Sequence, residues 1–223
     1  MQYKSLSREQ VASYVANDIP AGSYVNLGIG MPSLVPKYLD ESKNVVFHSE
    51  NGIVGIRSLQ ENDVLDEDIL DATKKPVALI EGAAITDHVV SFGMMRGGHI
   101  DISVLGAYQV SSQGDIANWH TGEQDSIPGV GGAMDLVAGA KKVFVMMTHV
   151  TREGKPKIVE TCTYPLTGCG AVDRIYTDLA IIDVMPEGLK VRAMVNSLSL
   201  SELQDITGAA IEKSSDFFLI NNI

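Results

Sequence analysis

Short apolar runs of strand length, separated by segments with helical spacing, constrain the fold of this chain most. Residues 143–147 form a continuous apolar run, and the run at residues 179–184 is interrupted only by Asp183. Strands exposed on one face alternate apolar with polar residues, whereas strands covered on both faces are apolar throughout. The pattern therefore predicts an α/β fold with a largely parallel sheet flanked by helices. Because no repeat or linker interrupts it, we predict a single domain over residues 1–223.

Polar caps indicate where the first and last helices begin. Ser7 and Gln10 have the spacing of a capping box, and Ser199 stands as the N-cap of a helix over residues 201–207. Other helices are predicted at residues 33–39, 89–95 and 133–138. Strands are predicted at residues 23–27, 45–47, 77–80, 100–105, 108–110, 143–147, 179–184 and 189–191.

Charge, hydropathy and cysteine spacing exclude several classes of protein. The formal net charge is −11, and such a surface repels phosphate backbones, which argues against a nucleic-acid partner. No apolar run approaches the roughly 20 residues that a membrane-spanning helix needs. The polar N-terminal residues lack the apolar segment of a secretory signal. Cys162 and Cys169 have no histidine nearby, so we expect no metal site and two reduced thiols in a cytoplasmic protein.

A first glycine-rich segment, Asn26-Leu27-Gly28-Ile29-Gly30, connects a predicted strand to a helix that Pro32 is placed to begin. Gly28 and Gly30 would let a ligand approach the backbone, and free N–H groups at a helix start favour anions. A dinucleotide-binding fingerprint would need a glycine where this chain has Ser33. A tight turn without a ligand explains the segment equally well.

A second glycine-rich segment, Gly129-Val130-Gly131-Gly132, precedes the helix predicted at residues 133–138. Consecutive glycines expose backbone N–H groups that can stabilise an oxyanion or a phosphate. The dinucleotide fingerprint fails here as well, because Met134 occupies its last glycine position. The alternative interpretation is a flexible loop.

Glu50 directly follows a predicted strand, in the segment His48-Ser49-Glu50-Asn51-Gly52. Ligands of α/β proteins bind at the carboxyl ends of the strands. A glutamate at such a place, among hydrogen-bonding neighbours, can serve as a base or a nucleophile. The alternatives are a solvated loop glutamate and, for His48, a hydrogen-bonded structural position, which we prefer.

Taken together, these segments resemble the B subunits of the family I 3-oxoacid CoA-transferases. The active-site signature of that family is matched from Phe47 to Gly55, and its NLGIGxP segment begins at Asn26. Further matches lie at residues 96–101, 115–119 and 131–136, in the family's order and spacing, and the resemblance extends from about residue 7 to 207. The stretches at residues 119–122, 174–184 and 186–191 are most similar to members that act on 3-oxoadipate.

The resemblance implies a reaction and a set of site residues. CoA moves from succinyl-CoA to a 3-oxoacid through a covalent thioester on the nucleophile Glu50, and neither a metal nor a redox cofactor is needed. By the same resemblance, the oxyanion and CoA are met by Gly131, Gly132, Ala133, Asn26, Gly28 and Gly30. Supporting roles fall to Ser49, Asn51 and Lys74.

Two positions depart from the family pattern. Lys74 ends the segment Asp71-Ala72-Thr73-Lys74, where relatives have an NAGK-like sequence, so a solvated surface lysine is the alternative. Arg57 lies where many relatives have a small glycine-proline segment. An arginine there can pair with the distal carboxylate of a dicarboxylic acceptor, although a surface position is the simpler interpretation.

The resemblance also implies a partner, since the family's catalytic unit joins an A subunit to this B subunit in a hetero-oligomer. We expect the isolated chain to be inactive. Two alternatives remain open: an acceptor such as acetoacetate, and a non-catalytic module that senses CoA esters or sugar phosphates.

Overall fold

The computed structural model describes residues 3–122, 128–129 and 131–221. Its α-helices are α1 (Arg8–Asp18), α2 (His88–Arg96), α3 (Ala133–Gly139) and α4 (Leu200–Asp205), and two 3-10 helices span Met31–Tyr38 and Glu41–Lys43. The strands are β1 (Tyr24–Leu27), β2 (Val46–Ser49), β3 (Ile53–Arg57), β4 (Ala78–Ile85), β5 (Ile102–Gly106), β6 (Gln109–Ser111), β7 (Ile116–Ala117), β8 (Lys142–Met146), β9 (Ile158–Val159), β10 (Arg174–Tyr176), β11 (Ala180–Met185), β12 (Gly188–Val195) and β13 (Ile211–Ile220).

One large sheet organises the molecule, with the strand order β13-β12-β11-β10-β8-β5-β1-β2-β3-β4. Its centre, from β10 through β8, β5 and β1 to β2, is parallel throughout. Antiparallel pairs extend it through β3 and β4 on one side and through β11 and β12 on the other. A smaller sheet has the order β7-β6-β9. The predicted single α/β domain with a mostly parallel sheet is confirmed.

The strand order reverses direction between β1 and β5. From β1 the chain moves outward to β2, whereas from β5 it moves the opposite way to β8 and β10. Ligands of α/β proteins bind in the crevice that such a reversal opens at the carboxyl ends of the strands. The topology therefore places the ends of β1, β2 and β5 around one crevice.

Two groups of helices pack against this sheet. The 3-10 helix Met31–Tyr38 contacts α1, and α2 contacts α3. Right-handed crossovers that leave the centre in opposite directions place these two groups on opposite faces. The apolar strand runs are buried accordingly, with Val104, Val145 and Ile182 fully enclosed.

The predicted helix caps are present. Ser7 and Gln10 form a reciprocal capping box at the start of α1, and Ser199 forms one with Glu202 at the start of α4. In the described part of the chain, none of the helices combines the length and the apolar character needed to cross a membrane.

Several elements differ from the sequence-based expectation: one predicted helix has another type, and the five strands β3, β7, β9, β10 and β13 were not predicted. The helix predicted at residues 33–39 is the 3-10 helix Met31–Tyr38, which contains Pro36. A proline in a helix interior removes an N–H donor and clashes with the preceding turn, so an α-helix is disfavoured there. Strand β13 was not predicted, because its exposed residues interrupt the apolar pattern. It is an edge strand, where polar side chains can face water on both sides.

The packing of α2 against α3 generates a stability prediction. A Cβ on Gly139 would lie 1.9 Å from the backbone oxygen of Met95, whereas a Cβ on Gly93 meets nothing within 4 Å. We expect Gly139→Ala to lower the free energy of unfolding by about 1–3 kcal/mol, because the two helices must separate. Gly93→Ala, the matched control inside α2, should be neutral or stabilising by up to about 1 kcal/mol. Urea unfolding measures both, and equal effects would contradict the close approach.

Candidate active site

A cavity of about 1290 Å³ opens at the carboxyl ends of β1, β2, β5 and β8. It brings together most of the residues that the sequence singled out, although they come from three separate segments. Those on its wall are Asn26, Gly28, Gly30, Ser49, Glu50, Gly131, Gly132 and Ala133. Within the described residues, Asn51 and Lys74 are not part of this wall. Val130, inside the second glycine segment, lies outside the described residues.

The carboxylate of Glu50 rests against the second glycine segment. A Cβ on Gly132 would lie 2.3 Å from Oε2 of Glu50, and a Cβ on Gly131 would lie 3.7 Å from Oε1. A side chain at position 132 would therefore occupy the space that the carboxylate fills. Gly132 is also the N-cap of α3, with a φ of −73°, so space rather than backbone conformation requires glycine there.

Partial burial raises the pKa of Glu50 above its ordinary value. Desolvation is the largest cause and a nearby Asp135 adds to it, while interaction with the Gly132 backbone and the proximity of His88 act in the opposite direction. A carboxylate with few water contacts and a raised pKa is a better base and nucleophile than one in bulk water. The site thus activates Glu50 while still offering a backbone contact to its oxygen atoms.

A buried chain of hydrogen bonds holds the backbone of Glu50. Nδ2 of Asn26 donates to Nδ1 of His48 at 3.0 Å, and Nε2 of His48 contacts Oγ of Ser91 at 3.0 Å. Oγ of Ser91 donates to the carbonyl oxygen of Glu50 at 2.8 Å. Nδ1 of His48 accepts from the Asn26 amide, so the proton of the neutral ring lies on Nε2. Nε2 then donates to Oγ of Ser91, whose own proton is used in the bond to Glu50.

This chain of hydrogen bonds confirms the structural position preferred for His48 and gives Asn26 a role that the sequence did not show. Burial lowers the pKa of His48 to about 4, so the ring stays neutral at physiological pH. Ser91 was missed, because it lies on α2, far from Glu50 in the sequence, and carries no motif. His88 and Phe92 on the same helix were also missed; their rings lie 4.3 Å apart.

Ser49 and Asn51 anchor the loop that follows β3, before β4. Oγ of Ser49 accepts a hydrogen bond from the backbone N–H of Ala72 at 2.9 Å, and Nδ2 of Asn51 donates to the carbonyl of Leu70 at 2.8 Å. Both side chains therefore hold this loop in place through hydrogen bonds to its backbone. Lys74, at the end of that loop, is exposed and has a positive φ of 62°.

Arg57 lies on the cavity wall but is already paired. Its guanidinium donates to both carboxylate oxygens of Asp63, at 2.6 and 2.8 Å. This bidentate pair occupies the two nitrogen atoms that would otherwise meet the carboxylate of a ligand. The structure therefore gives Arg57 an internal partner.

The buried His48 makes the free energy of unfolding depend on pH. Between about pH 4 and 6.5 the unfolded chain binds a proton at this residue that the folded chain does not. The contribution of His48 to the free energy of unfolding is therefore fully present above pH 6.5. It falls as the pH drops, by about 2 kcal/mol between pH 7 and 5. We expect urea unfolding of His48→Gln to show a smaller fall over this range than the unchanged protein. An unchanged fall would show that His48 is not desolvated.

Comparison with known proteins agrees with this geometry. The family model described as Coenzyme A transferase matches residues 8–203. The B subunit of the 3-oxoadipate CoA-transferase of Acinetobacter baylyi is 56% identical over 211 residues, covering 95% of this chain and 97% of its own. The B subunit of the succinyl-CoA:3-ketoacid coenzyme A transferase of Helicobacter pylori is 40% identical over 205 residues, covering 92% and 98%.

The fold has solved counterparts. The crystal structure of an acyl-CoA transferase from Escherichia coli O157:H7 superposes with a TM-score of 0.76 at 19% identity, over 96% of this chain. The chain spans 43% of that larger protein. The family match over most of the chain, the identity to two relatives and the shared fold lead to one conclusion: this chain belongs to the coenzyme A transferase family.

Proposed function

We propose that this chain is the B subunit of a CoA-transferase that moves CoA from succinyl-CoA to 3-oxoadipate. One observation carries the proposal: the partly buried carboxylate of Glu50 lies against Gly132 inside a large cavity at the sheet's carboxyl edge. The name and the 56% identity of the Acinetobacter baylyi relative support 3-oxoadipate as the acceptor. The Helicobacter pylori relative, at 40% identity, is named for a 3-ketoacid without further definition. This leaves a short 3-oxoacid such as acetoacetate as the alternative acceptor.

The proposed reaction proceeds through covalent intermediates on Glu50. Its carboxylate attacks the thioester carbon of succinyl-CoA, and the C–S bond breaks to give a mixed anhydride and the CoA thiolate. The thiolate attacks the glutamyl carbonyl, which releases succinate and leaves a glutamyl-CoA thioester. The carboxylate of the acceptor then attacks this thioester, and the thiolate returns to the acceptor's acyl carbon, which regenerates Glu50.

Each attack creates a tetrahedral oxyanion beside Glu50. We assign its stabilisation to the backbone of Gly131 and Gly132, because both residues border the carboxylate. The hydrogen bonds from Asn26 through His48 to Ser91 hold the backbone of Glu50 against displacement during these steps. Correct placement matters, since a shift of about 1 Å in a reacting group can reduce the rate about 100-fold.

The proposal includes a partner A subunit in a hetero-oligomer. The names of both bacterial relatives designate them as B subunits. Two apolar side chains, Ile29 on the cavity wall and Val89 on α2, are 75% and 79% exposed. A second chain seated beside the cavity would cover such side chains, and we expect the isolated chain to be inactive.

The proposed chemistry uses neither a metal nor a redox cofactor, since every bond change occurs between carboxylates and a thioester. We also place the enzyme in the cytoplasm. Cys162 and Cys169 are free thiols, as expected in a reducing compartment. Burial raises the pKa of Cys162 to about 11, which keeps this thiol protonated and unreactive.

The first test measures CoA transfer from succinyl-CoA by this chain purified together with its A partner. We expect a higher kcat/KM with 3-oxoadipate than with acetoacetate. Glu50→Gln should abolish transfer, because an amide cannot form the anhydride. Borohydride added after succinyl-CoA should reduce a thioester at Glu50 in the unchanged protein and leave Glu50→Gln unmodified. A preference for acetoacetate would establish the alternative acceptor, and tight CoA binding without modification would favour a sensing module.

The contact at Gly132 gives a second prediction. Gly132→Ala places a methyl group where the Glu50 carboxylate lies, so we expect kcat to fall about 100-fold with the fold retained. Gly129→Ala is the matched control, since a Cβ there comes no closer than 3.9 Å to Trp119. Steady-state kinetics and circular dichroism of the two assemblies make the comparison. Equal activities would show that Gly132 does not set the position of the carboxylate.

A further inference from the structure

Lys157 lies on the wall of the same cavity as Glu50, although the two residues are far apart in the sequence. Its backbone is fixed on both sides: the N–H donates to the carbonyl of His149 at 3.1 Å, and the carbonyl accepts from the N–H of Val110 at 3.0 Å. The next residue, Ile158, is fully buried in the core. Because side chains alternate along a strand, that of Lys157 points away from the core packing of Ile158.

Lys157 differs from the other cations on this cavity wall. In the part of the chain that the structure describes, these are Arg8, Lys37 and Arg57. Arg8 and Lys37 are exposed, and Arg57 is held by Asp63. Lys157 is partly buried, and among the described residues its Nζ has neither a hydrogen-bond nor an ion-pair partner.

Desolvation acts on this ammonium group as expected for a cation with no close counter-ion. Burial lowers the pKa of Lys157 to about 8, and the more distant Asp178 partly opposes the shift. At neutral pH the group is therefore mainly charged, and an anion entering the cavity gains a strong, poorly screened partner. The cavity thus presents a positive charge at one place and the nucleophilic carboxylate at another.

The two charges reach the cavity from different sheets. Glu50 follows β2 of the large sheet, whereas Lys157 directly precedes β9 of the smaller sheet. The backbone N–H of Lys157 donates to the carbonyl of His149, three residues beyond the end of β8. Both residues border the same cavity. An extended six-carbon diacid measures roughly 6 Å between its carboxyl carbons, from bonds of about 1.5 Å, so its second carboxylate lies well away from the one that reacts at Glu50.

We propose that Lys157 binds the distal carboxylate of dicarboxylic substrates and so selects diacids over monoacids. This inference rests on the proposed function, in which the succinyl group and 3-oxoadipate each carry a second carboxylate. A dianionic acid must enter a protein of net charge −11 and approach the anionic Glu50. A cation elsewhere on the cavity wall offsets this repulsion only for acids with a second negative charge.

The test compares two four-carbon acids as inhibitors of CoA transfer by the assembled enzyme: succinate, a diacid, and butyrate, a monoacid. Lys157→Met removes the charge and keeps an unbranched side chain. We expect the inhibition constant of succinate and the Michaelis constant of the diacid acceptor to rise about 10- to 100-fold, as for a lost hydrogen bond to a charged group. The constants for butyrate and acetoacetate should change less than about twofold, because a monoacid makes no contact with the lysine.

Two further variants complete the design. Lys155→Met removes an exposed lysine two residues earlier and should leave all four constants unchanged. Lys157→Arg keeps the charge and should retain the preference for succinate over butyrate. If Lys157→Met does not fold, Lys157→Gln provides the same comparison with a polar, uncharged side chain.

Equal weakening of succinate and butyrate would overturn the inference, since it would place Lys157 against the CoA portion or in a purely structural role. Unchanged constants would overturn it as well. Failure of the proposed acceptor is a separate result, seen as a preference of the unchanged enzyme for acetoacetate. The comparison of succinate with butyrate still tests Lys157 in that case, because succinyl-CoA remains the donor.

Discussion

The contact between the Glu50 carboxylate and the Gly132 backbone depends on two segments that meet only in the folded protein. Strand β2 delivers Glu50 to the carboxyl edge of the sheet, and the start of α3 delivers Gly132 to the same point. The close packing of α2 and α3 through Gly139 keeps that second segment in place. The chemistry of the site therefore rests on how closely the backbone of one element approaches the side chain of another.

A buried polar network supports this contact from behind. Asn26, His48 and Ser91 come from β1, β2 and α2, and each polar group in the chain of hydrogen bonds has a partner. Buried polar groups are costly when unpaired, but a fully satisfied network is rigid and specifies one arrangement. The neutral state of His48 follows from the same burial.

Local sequence patterns predicted the fold class and singled out the main site residues as candidates. The apolar runs predicted four of the five parallel strands at the centre of the sheet, and capping residues predicted α1 and α4. The strand-end position made Glu50 a candidate, and the family resemblance identified it as the nucleophile. The glycine segment was predicted because several glycines in a row before a helix are unusual. Ser91 and Lys157 have no such local signal, since a serine within a helix and a lysine before a short strand are ordinary features. Strand β13 escaped prediction because polar residues are tolerated on an edge.

The sequence by itself determined which features are available. These are a glutamate after a strand, two segments whose glycines have no side chains, and strands apolar enough to be buried on both faces. Only the tertiary structure decided which of these groups meet. It paired Arg57 with Asp63, left Lys157 without a close counter-ion and set Glu50 against Gly132. The physical reason is that burial and charge pairing depend on distances between segments. Parallel strands fix those distances when the sheet assembles, and no local spacing in the chain encodes them.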